Sequence, residues 1–181
     1  MTTTSESVAK RVLVVRVRAS PCPIKNALSE INQCASLIES ASTESPPHRH
    51  FQMICNAFKH CNLKHLDFLS MCPFNNNWLD ALMETNFANM DFIAIQIADQ
   101  SVLDVDGQSL AKFVMAQNDS FIFYIELRSP VDYERIEEQF KKLFGEYFIP
   151  FTGITKNKKL ISVSWDNSTH YSTYRRYIPV S

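Results

Sequence analysis

The chain has 181 residues, of which 45% are hydrophobic and 12% aromatic, so its size and apolar content suit a single globular domain rather than a disordered chain. Its 18 Lys and Arg residues are balanced by 19 Asp and Glu residues, which gives a formal net charge of -1. This balance lacks the basic excess that favours binding to nucleic-acid phosphates, so we expect no nucleic-acid partner unless a local basic patch provides one.

The start of the chain indicates where the protein works. Residues 1–11 are rich in Thr and Ser and then charged, and we expect them to be disordered. The apolar run from Val12 to Val17 is too short for a secretory signal or a membrane span. The cysteines lack CxxC spacing, and we expect them to be buried free thiols. We therefore predict a cytoplasmic or nuclear protein with no membrane partner and one domain over residues 12–181. The cysteines are Cys22, Cys34, Cys55, Cys61 and Cys72.

The first third of the domain contains one predicted strand and two predicted helices. Val12 to Arg18 alternates apolar and basic residues, as a strand does. Ile24 to Glu39 carries one apolar stripe at helical spacing. Ser40 to His50 is rich in Ser, Thr and Pro, and we predict a mobile loop there. Phe51 to Cys61 is the second predicted helix, with Phe51, Ile54, Cys55 and Phe58 buried.

From Leu63 onward, strand and helix patterns alternate. Asn77 is the predicted cap of the first helix in this part, and Asp106 or Gly107 begins the second. The predicted helices are Trp78 to about Ala88, the segment from Asp106 or Gly107, and Asp132 to Tyr147. The predicted strands are Leu63 to Phe68, Phe92 to Ile97 (with Ile93, Ile95 and Ile97 on one face), Phe121 to Leu127, Leu160 to Asp166 and Tyr171 to Ile178.

The strand patterns recur at a nearly constant interval. The separations are 27 residues from Leu66 to Ile93 and 28 from Ile93 to Phe121, within the period range of leucine-rich repeats. Such spacing implies parallel strands side by side with helices on one side. The predicted fold class is therefore α/β, a short, irregular leucine-rich-repeat-like stack of parallel strands and helices over residues 63–166. An open α/β sheet is the alternative, because no repeat has the LxxLxLxxN consensus.

Glycine content limits the possible chemistry. The three glycines, Gly107, Gly145 and Gly153, cannot form a P-loop, a GxGxxG fingerprint or a GxSxG nucleophile elbow. Nucleophiles whose partners are adjacent only in space are left open. We predict no catalytic residue, no cofactor and no small-molecule substrate, and hence a protein that is not an enzyme.

Two groups of side chains have the residue types of metal ligands. The His and Cys group does not have the spacing of a zinc finger or ribbon, and Cys55 is predicted to be a core residue. The carboxylates within residues 98–107 lack EF-hand spacing, and Asp106 is predicted to cap a helix. We therefore predict no metal site. The groups are His48, His50, Cys55, His60, Cys61 and His65, and Asp99, Asp104 and Asp106.

Segments between Leu63 and about Tyr174 resemble the type 2 F-box-associated domain, a family greatly expanded in nematodes. The similar segments are Asn77 to Leu82, Asn86 to Ile97, Asp104 to Asn118 (with Met115 near the family's usual Trp), Phe121 to Leu127 and Lys156 to Trp165. The resemblance implies a leucine-rich-repeat-like fold that recruits proteins to ubiquitin ligases. The family normally carries an F-box near its N-terminus, whereas residues 1–61 show none. An adaptor or scaffold subunit without a ligase connection is therefore the alternative.

The alternation of the strands predicts a binding surface. If Leu66, Phe68, Ile93, Ile95, Phe123 and Ile125 point into the core, their neighbours in sequence lie together on the opposite face of the sheet. We expect that face to bind a protein partner of unknown identity, with Tyr124 as an aromatic anchor. The predicted partner-binding residues are His65, Asp67, Gln96, Tyr124 and Glu126.

The C-terminal segment offers an alternative surface. Tyrosines and arginines alternate there, and stacking combined with positive charge is how single-stranded nucleic acid is held. An edge strand with packed tyrosines and solvated arginines is the simpler interpretation. The alternative nucleic-acid patch, which would make the chain an RNA-binding module, comprises Tyr171, Tyr174, Arg175 and Arg176.

Overall fold

The computed structural model describes residues 15–19, 51–52, 55–56, 58–59, 62–69, 74–153, 158–166 and 172–180, with backbone alone at 15–19 and 172. The predicted disordered segment 1–11, the predicted helix over 24–39 and the predicted loop over 40–50 lie outside these residues. None of the described helices is both long and apolar enough to cross a membrane.

Seven strands form one mixed sheet in the described part of the chain. They are β1 (Val15–Ala19), β2 (Leu63–Phe68), β3 (Phe92–Ala98), β4 (Ile122–Leu127), β5 (Phe148–Pro150), β6 (Leu160–Asp166) and β7 (Ser172–Pro179). The order across the sheet is β1-β2-β3-β4-β6-β7-β5. The α/β class is thus confirmed.

The parallel part of the sheet occupies its middle. β2, β3, β4 and β6 are parallel neighbours, as the recurring pattern predicts. β1 runs antiparallel to β2, and β7 runs antiparallel to both β6 and β5. A leucine-rich-repeat-like stack is not confirmed, because such a stack would continue the parallel order and here antiparallel strands flank it on both sides.

Three α-helices connect the parallel strands: α1 (Asn76–Glu84), α2 (Gly107–Met115) and α3 (Tyr133–Phe144), with a 3-10 helix at Gln100–Asp104. The Asp106 carboxylate accepts from the Ser109 N–H at 2.7 Å and so caps α2 as predicted. The Asp132 carboxylate likewise accepts from the Arg135 N–H at 3.1 Å. These caps fix where α2 and α3 begin.

All three helices cover the same face of the sheet. Trp78 of α1 stacks on Phe51, with ring centroids 4.0 Å apart and planes 6° from parallel, and meets the Phe68 ring edge-on. Phe140 of α3 packs against Trp165. The six side chains predicted to point inward are all buried, as are Cys55 and Phe58. The inward set is Leu66, Phe68, Ile93, Ile95, Phe123 and Ile125.

Three local predictions are wrong. Asn75, not Asn77, caps α1, because the Asn75 side chain accepts from the Trp78 N–H. The helix also ends earlier than predicted, at Glu84 instead of about Ala88. Ile97 does not join the inward face: its backbone is left-handed, with φ 55, and its side chain is 45% exposed. The predicted helix from Asp132 to Tyr147 ends at Phe144.

Candidate functional site

The described helices leave one face of the sheet without a helix layer, and we call this surface the open face. The strand registers align its side chains in rows that cross the sheet. Asp67 of β2 lies beside Ala94 of β3, which lies beside Tyr124 of β4. Ser162 of β6 and Arg176 of β7 continue the same line. Arg16 of β1 pairs with Asp67, so this middle row spans six neighbouring strands.

A polar row lies on one side of the middle row. Glu126 pairs with Ser164, and Ser164 pairs with Tyr174. The Gln96 side-chain amide donates to the Asp67 carboxylate at 3.0 Å and so joins β3 to β2. The hydroxyl of Tyr124 lies 2.7 Å from that of Ser164. Hydrogen bonds within the open face thus fix the positions of its polar groups.

An apolar row lies on the other side. His65, Phe92, Ile122 and Leu160 are aligned on β2, β3, β4 and β6. Leu160 is 4% exposed, whereas Phe92 and Ile122 are only half-buried. On the far strands Ile149 pairs with Ile178, and Ile149 is 50% exposed. Apolar contact area therefore extends along this end of the open face.

The five predicted partner-binding residues all lie on the open face of β2, β3 and β4. Asp67 and Gln96 are hydrogen-bonded, and Tyr124 is separated from Asp67 by Ala94 alone. His65 stands one row away, its ring centroid 6.0 Å from that of Phe92. Their placement agrees with the alternation of the strands, while their role in binding stays a prediction.

The residues of the alternative nucleic-acid patch are divided between two faces. Arg175 points toward the helix layer and donates two hydrogen bonds, of 2.8 and 2.5 Å, to the Glu137 carboxylate. These bonds hold the pKa of Glu137 below its ordinary value. Tyr174 is 61% exposed on the open face, with the Arg176 guanidinium 5.3 Å from its ring centroid. Tyr171 lies outside the described residues.

A groove of about 540 Å³ borders the open face at β5 and β7. The Phe151 N–H donates to the Arg176 carbonyl at 2.9 Å and prolongs the pairing of these strands. The Lys158 ammonium lies 5.1 Å from the Phe151 ring centroid. The groove thus combines aromatic rings with cations. Its lining residues are Pro150, Phe151, Thr152, Tyr174, Arg175, Arg176 and Tyr177.

The carboxylates near the 3-10 helix serve separate structural roles. Asp99 accepts from the Ser101 N–H at 2.9 Å, and Asp104 pairs with Arg135 at 2.9 Å. Asp106 caps α2. Within the described ranges, no group of three or more His, Cys, Asp or Glu side chains is arranged to hold a metal ion. His48, His50, His60 and Cys61 lie outside those ranges.

Sequence reasoning missed the residues that extend the open face beyond β4. Ser162, Ser164 and Arg176 join the rows of Tyr124 and Glu126 only because β6 and β7 pair in the observed register. The alternation of small polar residues in β6 is the available signal for the two serines. No sequence signal places β7 next to β6 in that register.

Comparison with known proteins found no match for this chain among protein-family models, curated proteins or solved structures. The resemblance to the type 2 F-box-associated domain therefore rests on the sequence segments alone.

Proposed function

We propose that this chain is a non-enzymatic protein-interaction module that binds a partner protein through the open face. The observation that carries the proposal is the alignment of Asp67, Tyr124 and Arg176 in one row across five strands, beside the apolar row. Protein interfaces combine apolar and aromatic contacts with polar ones, and the open face offers both side by side. Tyr and Arg are also the residue types that most often dominate binding energy.

The chemistry of the described side chains favours binding over catalysis. The groups whose pKa values are displaced are explained by the fold itself. Burial raises the pKa of the Cys55 thiol to about 12. Hydrogen bonds from Ser101 and Ser109 lower the pKa of Asp99 and Asp106, which cap helices. Displaced pKa values that serve catalysis are expected together in a cleft, and these three residues belong to separate structural elements. The displaced pKa values of Glu137, Arg175 and Tyr177 do lie together, and the hydrogen-bonded pair of Glu137 and Arg175 and the burial of Tyr177 account for them.

The class of partner follows from the resemblance to the type 2 F-box-associated domain. We propose that residues 63–166 are a degenerate leucine-rich-repeat-like unit whose open face recruits a protein, as a substrate-recruiting, adaptor or scaffold subunit would. In support, β2, β3 and β4 follow one another in the sheet, and each is followed by a helix. An adaptor of this kind would work in the cytoplasm or the nucleus.

A second candidate, an RNA-binding module, is favoured by Tyr174 and Arg176. An exposed ring beside a guanidinium is suited to stacking on a base and contacting a phosphate. Salt dependence separates the candidates, because phosphate contacts weaken steeply with salt and mixed protein interfaces weaken much less.

Affinity purification with a matched pair of variants tests the proposed function. The tagged wild type should retain stoichiometric companions that Tyr124→Ala loses. Tyr133→Ala is the control, because Tyr133 is a 48% exposed tyrosine at the start of α3, away from the open face. Equal loss with both variants, or loss with neither, would contradict the proposal.

A further inference from the structure

We propose that the partner of the open face is a second copy of this chain, stacked sheet on sheet about a twofold axis that runs along β4. The inference rests on the proposed function and deepens it by naming the partner. Two aligned sheets pack face to face about 10 Å apart, with their strand directions within about 30° of each other.

The order of the strands makes this axis possible. β4 is the fourth of seven strands, so three strands lie on each side of it. A twofold axis along β4 and between the two sheets places β2 of one copy over β7 of the other, and β3 over β6. Every row of the open face then faces the same row of the second copy.

Two charges of the middle row, those of Asp67 and Arg176, are self-complementary about that axis. Arg16, which pairs with Asp67 at the β1 end of the row, is placed over β5 of the second copy. Asp67 lies two strands from Tyr124 on one side, and Arg176 lies two strands from it on the other. The axis therefore brings Asp67 of each copy over Arg176 of the other, and the two contacts form symmetrically. A twofold axis across the strands would instead place Asp67 over Asp67, which like-charge repulsion disfavours.

Arg176 is suited to such a contact. Its side chain is half-buried, and it forms no ion pair among the described residues. Its Nε is buried and has no hydrogen-bond acceptor in the structure. A carboxylate from a second copy would pair with the accessible part of the half-buried Arg176 guanidinium, not with the buried Nε, whereas Arg175 on the other face already has Glu137.

The apolar row matches itself in the same arrangement. Phe92 of β3 faces the second copy's Leu160 on β6, and Ile122 faces its own counterpart at the axis. Tyr124 likewise faces Tyr124. The apolar contacts and the two charged contacts of the neighbouring row therefore form together. The one unfavourable contact is Glu126, which also lies on β4 and approaches its own counterpart.

The area of the open face sets the expected strength of self-association. Seven strands about 4.8 Å apart and about 20 Å long cover roughly 600 Å² per copy. The pair would bury about 1,200 Å², the lower end of the range for specific interfaces. We therefore expect a reversible dimer with a dissociation constant in the micromolar range.

Charge exchange between the two contact residues tests the proposal by sedimentation equilibrium of the purified full chain. Arg176→Glu and Asp67→Arg should each weaken self-association at least about tenfold, because each variant places like charges together twice. An equimolar mixture of the two variants should dimerise at close to wild-type strength, since both contacts in the mixed pair are again opposite in charge. Lys141→Glu and Glu138→Arg on the exposed side of α3 are charge-matched controls that should leave self-association unchanged.

Glu126→Gln gives an independent check, because removing the like-charge contact at the axis should strengthen the dimer. A chain that stays monomeric at about 500 µM would overturn the second-copy proposal. A mixture of the two folded variants that associates no more strongly than either variant alone would also overturn it. A monomer whose Tyr124→Ala variant loses a different companion would contradict the second copy and leave the proposed function standing. A monomeric chain whose Tyr124→Ala variant retains all companions would contradict both the second-copy proposal and the proposed function.

Discussion

The hydroxyl groups of Tyr124 on β4 and Ser164 on β6 lie 2.7 Å apart. This bond directs the Tyr124 ring across the neighbouring strand, so the half-buried ring lies along the open face instead of projecting freely from it. An anchor held in place before binding loses less side-chain entropy when a partner arrives. The pair therefore defines the centre of the proposed interface.

Tyr124→Ala should weaken capture of the partner by about 1–3 kcal/mol, because it removes an aromatic anchor from the centre of the interface. Circular dichroism and thermal stability should stay close to wild type, since the ring faces away from the helix layer. Sedimentation equilibrium measures the first effect when the partner is a second copy, and isothermal titration with the isolated partner measures it when the partner is another protein. Tyr124→Phe keeps the ring but loses the bond to Ser164, so its affinity for the partner should fall between those of wild type and Tyr124→Ala. Unfolding of Tyr124→Ala, or undiminished affinity, would show that the proposed binding face is wrong.

Gln117→Leu should lower the free energy of unfolding by about 1–3 kcal/mol, because it leaves buried polar groups without partners. Gln117 is 4% exposed and accepts from the Met90 N–H at 3.0 Å. Its amide donates to the carbonyls of Phe87 and Phe113, each at 3.0 Å. Chemical denaturation gives the comparison. Gln108→Leu on the exposed side of α2 is the matched control, and equal stability of the two variants would refute the assigned role.

Asp106→Asn should make the fold less sensitive to acid. Hydrogen bonds from the backbone N–H and the hydroxyl of Ser109 lower the pKa of Asp106 in the folded state. A lowered pKa stabilises the fold above the unfolded-state pKa, and this contribution is lost as the pH falls below about 4. Asn keeps the cap but does not titrate. The fall in melting temperature between pH 7 and pH 3 should therefore be smaller than in wild type, and an equal fall would contradict this.

Cys55 should resist alkylation in the folded protein. Only the thiolate reacts, and burial raises the pKa of this thiol to about 12. Iodoacetamide at about pH 8, followed by mass spectrometry of the peptides, should label Cys55 only after denaturant is added. Rapid labelling of Cys55 under native conditions would show that this side chain is not buried as described.

The elements best predicted from sequence were those with a local signal. Asp106 precedes an amphipathic helix and caps it as predicted, while Asp132, predicted as the first residue of its helix, is the cap. The three consecutive asparagines 75–77 gave no such unique signal, and Asn75 is the cap. Alternation predicted which side chains of β2 and β4 are buried. It failed at Ile97, because a left-handed backbone at an isoleucine goes against the residue's own preference.

Pairing between segments that are distant in sequence explains why the remaining features of the sheet could not be predicted. Sequence patterns located β1 and β7, but their antiparallel orientation depends on packing between distant segments. The three-residue β5 was too short to predict. For the same reason the five predicted site residues end at β4, whereas the observed open face continues through Ser162 to Arg176.

Photo-crosslinking from the centre of the open face tests the central claim most directly. The chain would carry p-benzoylphenylalanine in place of Tyr124, and a second version would carry it in place of Tyr133 on the helix side. We expect a defined cross-linked protein product from position 124, a second copy or another chain, and none of the same kind from position 133. No product from position 124, or equal products from both positions, would contradict binding through the open face.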